Sequence, residues 1–353
     1  MKKMKVTSLV IVLILLSLTI GFVVNMQGDH PLFKTLLVST SSDKVIFNNY
    51  SKFETIQEAA RFLSNGNREK ARIVFEDMLE KNPEDVEGLV GIAVCYAYIR
   101  NYKKSIEYVN KAEQILERGI ELDNERQMQL YEIMAIVYDA TSYYEGSKYN
   151  PKLMEYAQKV IDMESEDSVR NKSMHYTQYV ALFELYMQEE MYDEAIEYCK
   201  KAQELLPQNP LLDHTLAILY TDNSDFENAY NSINKVKEYF GDKNEYYLID
   251  MGYYYTKTGE YEKAYDCLKN LEAISPDDSS SLYFYYGKYY EAIGDIENAR
   301  ENYKKSFSLE PYAIFDYSNQ NIIQRLNIDI SDLAEKMEEE KRRDYASELG
   351  DQT

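Results

Sequence analysis

Ser280 to Ala313 reads SSLYFYYGKYYEAIGDIENARENYKKSFSLEPYA, and this stretch decides the fold. Tyr283, Tyr286, Gly287 and Tyr290 fall on one face at helical spacing. Gly294-Asp295 then breaks the helix, and Ile296, Ala299, Tyr303 and Ser306 form the inner face of a second one. Pro311 discourages its continuation, because proline lacks the N–H a helix interior needs. Gly287 and Ala299 are small where the two helices must cross closely. Neither helix buries its apolar face alone, so the unit requires stacked neighbours.

Those neighbours are present. One aromatic position recurs at Phe62, Tyr96, Tyr138, Tyr186, Tyr220, Tyr255 and Tyr290, in steps of 34, 42, 48, 34, 35 and 35 residues. Nine residues later, wherever the register is clean, stands a small residue: Ala71, Ser105, Ala195, Ala229, Ala264 and Ala299. Pro83, Pro207, Pro276 and Pro311 each lie twelve residues beyond one of these. Such a period marks a helical array built from one repeated hairpin.

The unit resembles the tetratricopeptide repeat. The second copy has Leu89-x-x-Ile92-Ala93-x-x-Tyr96. The fifth has Leu216-Ala217-x-x-Tyr220 followed by Ala229-x-x-x-Ile233. The sixth has Leu248-x-x-Met251-Gly252-x-x-Tyr255, then Ala264-x-x-x-Leu268-x-x-Leu271 and Pro276. The resemblance covers residues 52–313 and implies an all-α, right-handed α-solenoid of about seven helical hairpins. These fall near 52–85, 86–119, 128–171, 176–209, 210–244, 245–279 and 280–313. The first copy departs with Thr55 and Glu58 at usually apolar positions, as a terminal unit would. The third is irregular: an enlarged loop from Asp139 to Lys152 is expected between its helices, moving the small residue to Ala157. Further residues lengthen the chain near Glu117–Arg126 and Glu164–Lys172. Residues 314–353 read as capping helices, near Asn319–Leu326 and Asp332–Leu349, with Asp332-x-x-Glu335 as a capping box.

At the other end, Lys2, Lys3 and Lys5 precede an uncharged run from Val6 to Val24. Nineteen residues make a helix of about 28 Å, close to the ~30 Å hydrocarbon core of a bilayer. The run exceeds a cleaved signal core, and no good small-x-small site follows it. Residues 1–5 therefore read as a cytoplasmic basic segment, 6–24 as a transmembrane signal anchor and 25–51 as a tether. The array is then placed outside the cytoplasm of a bacterial-type cell, since flanking lysines stay inside.

With 39 Lys and Arg against 61 Asp and Glu, the chain carries a net charge of −22, the wrong sign for a phosphate-backbone binder. Cys95, Cys199 and Cys267 fall in different repeats and have no close partner, so three separate thiols are expected. The three histidines, His30, His175 and His214, have no metal-ligand spacing, and no nucleophile elbow, phosphate loop or dinucleotide fingerprint is present. Asp277-Asp278 and Asp222-x-x-Asp225 read as turn residues. No catalytic, metal or cofactor site is assigned.

The resemblance implies that the first helix of each hairpin lines a partner-binding groove. Carried over position by position, that face comprises Val90, Val94 and Tyr98 in the second hairpin, Val180, Glu184 and Met187 in the fourth, and His214, Ile218 and Thr221 in the fifth. The sixth adds Tyr246, Ile249, Tyr253 and Lys257, and the seventh Phe284, Lys288 and Glu291. Such a face is apolar and aromatic, suited to a peptide or a helix of a protein partner; in a tight superhelix the same side chains would instead pack on each other or on the cap. It lacks the Lys, Arg and Asn set with which some family members hold a C-terminal carboxylate. The loop bearing Tyr143, Tyr144 and Tyr149 is a second candidate. The expected function is a non-catalytic adaptor at the envelope. An assembly or secretion chaperone and a peptide-sensing regulator are the alternatives.

Overall fold

A computed structural model of the chain describes residues 59, 61–62, 67–98, 101–145, 150–163, 168–275, 279–315, 317–337 and 339. The expected anchor at 6–24, the tether at 25–51, Tyr149, Pro276 and Asp277-Asp278 lie outside them. Among the described residues, no helix is long and apolar enough to cross a membrane. All regular structure there is helical: α1 (Arg68–Lys81), α2 (Val86–Tyr98), α3 (Tyr102–Glu117), α4 (Asn124–Glu145) and α5 (Asn150–Ile161). Next come α6 (Ser168–Gln188), α7 (Tyr192–Leu205), α8 (Pro210–Asp222), α9 (Phe226–Phe240), α10 (Glu245–Thr258) and α11 (Tyr261–Ile274). The chain continues with α12 (Ser280–Ala292), α13 (Ile296–Leu309), a 3-10 turn (Pro311–Phe315) and α14 (Tyr317–Leu326). Residues 331–337 are also helical.

From α2 onward, consecutive helices pair into six hairpins, with α1 as the second helix of a preceding one. Two expectations are corrected. The interval Asp139–Lys152 is mostly helix: α4 runs on to Glu145 and α5 begins at Asn150. No glycine or proline stands between Asp139 and Glu145, so nothing interrupts the hydrogen-bond ladder there. The last helix begins at 331, so Asp332 lies in its first turn. Just ahead of the helix, Asp329 accepts from the Ser331 N–H at 3.0 Å and from its hydroxyl at 2.7 Å. In addition, α6 starts at Ser168, ahead of the expected 176, and α4 at Asn124, ahead of 128.

The described chain forms two compact units, one within residues 1–141 and 151–178, the other within 142–150 and 179–353. In the first, α2 is apolar around its whole circumference, and Val86 and Gly88 through Tyr96 are all buried. Gly91 lets the Phe75 ring of α1 lie directly on the α2 backbone. Ser105 of α3 donates to the Ala93 carbonyl at 2.7 Å, tying α3 to α2. Glu113 of α3 accepts from the hydroxyls of Tyr138 at 2.9 Å and Tyr156 at 2.8 Å, whose rings stack at 5.8 Å.

In the second unit, the first helices α8, α10 and α12 pack side by side, and each packs on its own second helix, α9, α11 or α13. Ala195, Ala229, Ala264 and Ala299 are fully buried, as the repeat register requires. Gly287 is small for the reason expected, since a Cβ there would meet the Tyr303 ring at 2.7 Å. Every hairpin turn from α6 to α13 passes through one residue with positive φ: Glu190 at 58°, Ser224 at 60°, Gly259 at 82° and Gly294 at 81°. Asp225 and Asp295 follow two of these turns and cap α9 and α13 through Asn228 N and Asn298 N, each at 3.3 Å.

Candidate partner-binding face

The row α8–α10–α12 differs from the expected aromatic groove. Val90, Val94, Ile249 and Tyr253 are only 1%, 7%, 5% and 3% exposed, so they offer no contact area to a partner. For Val90 and Val94 the cause is the all-apolar surface of α2. Ile249 is absorbed by a cluster with Leu248, Leu268, Leu271, Leu282 and Tyr286. Tyr253 lies between neighbouring first helices: its ring meets Tyr285 of α12 at 5.4 Å and its hydroxyl donates to Asp222 of α8. Tyr98, Val180, His214, Ile218, Tyr246, Phe284 and Lys288 are half-buried.

What the row presents is a polar network set in aromatic walls. Asp222 also receives Lys257 at 3.4 Å, and the Lys288 ammonium stands 3.5 Å from the Tyr253 hydroxyl. That ammonium lies over two rings, Tyr253 and Phe284, each 5.3 Å from the centroid. Burial pushes the Lys288 pKa down, and Lys257 and Arg325 push the same way against Asp222 and Glu190. Burial, reinforced by Asp222, pushes the Tyr253 phenol well up, so it stays a donor.

A second polar pair lies beside it. The buried Asp250 of α10 meets His214 Nδ1 of α8 at 2.7 Å, and the His214 ring rests 4.9 Å from Tyr246. The other oxygen of Asp250 has no hydrogen-bond partner. Burial raises the Asp250 pKa to about 6, against the lowering effect of His214.

The end of the row is covered by α14. Ile322 and Leu326 join Tyr303 and Phe307 in a buried cluster, with Phe284 packed against it. Arg325 pairs with Glu291 of α12, which also accepts the Tyr303 hydroxyl at 3.0 Å. Asn321 reaches Glu190, in the α6–α7 turn, at 3.5 Å.

Asp222, Asp250, Tyr285, Glu190, Asn321 and Arg325 were missed as parts of this face by sequence reasoning. A signal did exist for Asp222 and Lys257. They stand 35 residues apart, one repeat, and so share a position on adjacent first helices. The side chains of Tyr143 and Tyr144 lie outside the described set. His175 lies 3.2 Å from the Met163 carbonyl. Burial pushes the Cys95 and Cys199 thiols up to about 12, away from the reactive thiolate. Among the described residues, no group of three or more His, Cys, Asp or Glu is placed to hold a metal ion.

The tetratricopeptide repeat model matches residues 181–209 and 280–312, which fall on the α6–α7 and α12–α13 hairpins. In structure, the chain is similar to a tetratricopeptide repeat protein from Parabacteroides merdae. The TM-score is 0.52 at 15% identity, over 76% of this chain and 98% of that one. It is also similar to PilW, a widely conserved type IV pilus biogenesis factor, with a TM-score of 0.46 at 16% identity over 65% of this chain and 95% of PilW. Pseudomonas aeruginosa pilF gives 0.45 at 18% identity over 69% of this chain and 96% of pilF. These likenesses concern the fold alone. No curated protein matches the chain in sequence.

Proposed function

We propose that this chain, which carries tetratricopeptide repeats, is a non-catalytic scaffold that holds a protein partner on the first-helix row of its second unit. In this reading, residues 6–24 anchor it in a membrane, with the repeats outside the cytoplasm. The observation that carries the binding role is the network Asp222–Tyr253–Lys288–Lys257. Stacking hairpins requires only apolar and small residues between first helices. Here the row places Asp222, Lys288 and Lys257 at half-buried and exposed positions, with both lysine contacts long, which stabilises the array little and supplies donors and acceptors for a peptide or helix. The aromatic walls add contact area at modest entropy cost. The anchor rests on the lysine-flanked run of 19 uncharged residues.

Site-specific photo-crosslinking in intact cells tests the reading. A photoreactive residue at Tyr246 or Lys257 is expected to give one discrete protein adduct, whereas one at the exposed Tyr239 of α9 gives none. The same adduct from both faces, or no adduct from either, would overturn the assignment. Protease treatment of intact cells, reading whether the repeats are cleaved, decides the topology separately.

A further inference from the structure

The helix that closes the row has the makeup of a ligand. Helix α14 is ten residues, YSNQNIIQRL, about 15 Å long, and too short to be stable by itself. Its Ile322 and Leu326, four apart, enter the cluster around Tyr303 and Phe307, against which Phe284 packs. Its Asn321 and Arg325, also four apart, meet Glu190 and Glu291. Glu190 and Asn321 are 131 residues apart in the chain, so α14 links the α6–α7 turn to the end of α12. The Arg325 side chain is 55% exposed, and the Asn321 contact is long and exposed. Polar anchors of that kind hold weakly.

A terminal cap needs only apolar cover. The surface under α14 instead holds Glu291, shared by Arg325 and Tyr303, and Phe284, whose ring carries the Lys288 ammonium 5.3 Å from its centroid. From this juxtaposition we propose that the α14-covered end of the row is a helix-binding surface with α14 as its resident occupant. It accepts in exchange a partner helix of the same chemistry: two aliphatic residues four apart, beside an arginine placed to meet Glu291. This is helix-in-groove recognition with the groove filled in cis. It rests on the scaffold reading above and adds that the resting chain is largely closed, which lowers apparent affinity by the fraction of time the site is open.

The test uses the full chain in detergent micelles and a fluorescein-labelled synthetic peptide of residues 316–337 as probe. Arg325→Glu combined with Asn321→Asp sets like charges against Glu291 and Glu190 while leaving the repeats untouched. Amide hydrogen exchange in α14 is expected to quicken at least tenfold, with α8–α11 unchanged, and the peptide to bind at least tenfold more tightly than to wild type. Adding Glu291→Arg to Arg325→Glu is expected to restore protection. Unchanged exchange in α14, equal peptide binding by the two proteins, or failure of the charge swap would overturn the proposal. Crosslinking at Lys257 separates the two readings. Equal partner yields from wild type and variant sink the exchange but leave the scaffold. No adduct in either sinks the scaffold, while exchange and peptide binding still decide the occupancy of α14.

Discussion

The α12–α13 hairpin and the α4–α5 hairpin solve the same packing problem in opposite ways. In α12–α13, the Tyr303 ring lies on Gly287 with no room for a Cβ. In α4–α5, the corresponding position is Ala135, and Tyr156 stacks on Tyr138 with both hydroxyls held by Glu113 of α3. The first solution depends on backbone distance and tolerates no drift in register. The second depends on a carboxylate with reach, and the helices around it are free to lengthen: α4 has 22 residues where α12 has 13. In this pair, the short helices go with the glycine contact and the long ones with the polar hub.

The largest expected effect tests the tight crossing. Gly287→Val drives a branched side chain into a fully buried tyrosine ring and should lower stability by about 3 kcal/mol in denaturant unfolding followed by circular dichroism. Gly252→Ala, where a Cβ would stand 3.3 Å from the Cys267 Cβ, should stay within about 1 kcal/mol of wild type, since alanine favours helix over glycine. Equal losses at the two sites would show that the distance to Tyr303 does not govern the crossing. On the other side of the comparison, Glu113→Leu leaves the buried Tyr138 and Tyr156 hydroxyls without their acceptor. It should cost about 2 kcal/mol in the same assay. A smaller loss than that of Gly252→Ala would mean that ring stacking, not the hub, holds α5.

A further effect is read through pH. Asp250 titrates near 6 in the folded chain and near 3.9 when unfolded, so folding favours its protonated form. Its contribution is full below about pH 4 and is lost as pH rises through about 6. Asp250→Asn should therefore gain on wild type by on the order of 2 kcal/mol between pH 4 and 7.5, in thermal melts at matched ionic strength. Parallel stability curves for the two proteins would rule out this role for Asp250.

Much of the fold was legible because periodicity reports burial directly. The alanines at 195, 229, 264 and 299 are fully buried, and Gly287 marks a close crossing. The face of the site was less legible. In a solenoid, a first helix touches its own second helix and the first helices before and after it, leaving only a narrow strip open. Spacing alone does not separate Tyr253, turned toward Tyr285 and Asp222, from the half-buried Tyr246. The α4 extension was missed because a displaced alanine reads as a longer loop, whereas the local residues simply continue a helix. The Asn321–Glu190 contact joins residues 131 apart, and no local pattern announces it.

The left-handed residues at Glu190, Ser224, Gly259 and Gly294 carry one more consequence. Each is followed at once by the cap position of the next helix, and four residues later by the buried alanine. Yet 34 residues separate Glu190 from Ser224, while 35 separate each later pair. The additional residue is taken up in α9, which has 15 residues where α7 and α11 have 14, and in the connection after α11, Ile274 to Ser280, while the step from the start of a first helix to the start of its second stays the same, from Pro210 to Phe226, Glu245 to Tyr261 and Ser280 to Ile296. For anyone grafting a tag, splitting the gene or lengthening the array by copying, the connections are the permissive joints and the turns are the fixed hinges of the module. A cut at Phe240–Glu245 preserves whole modules on both sides, whereas one at Gly259 divides a module in half.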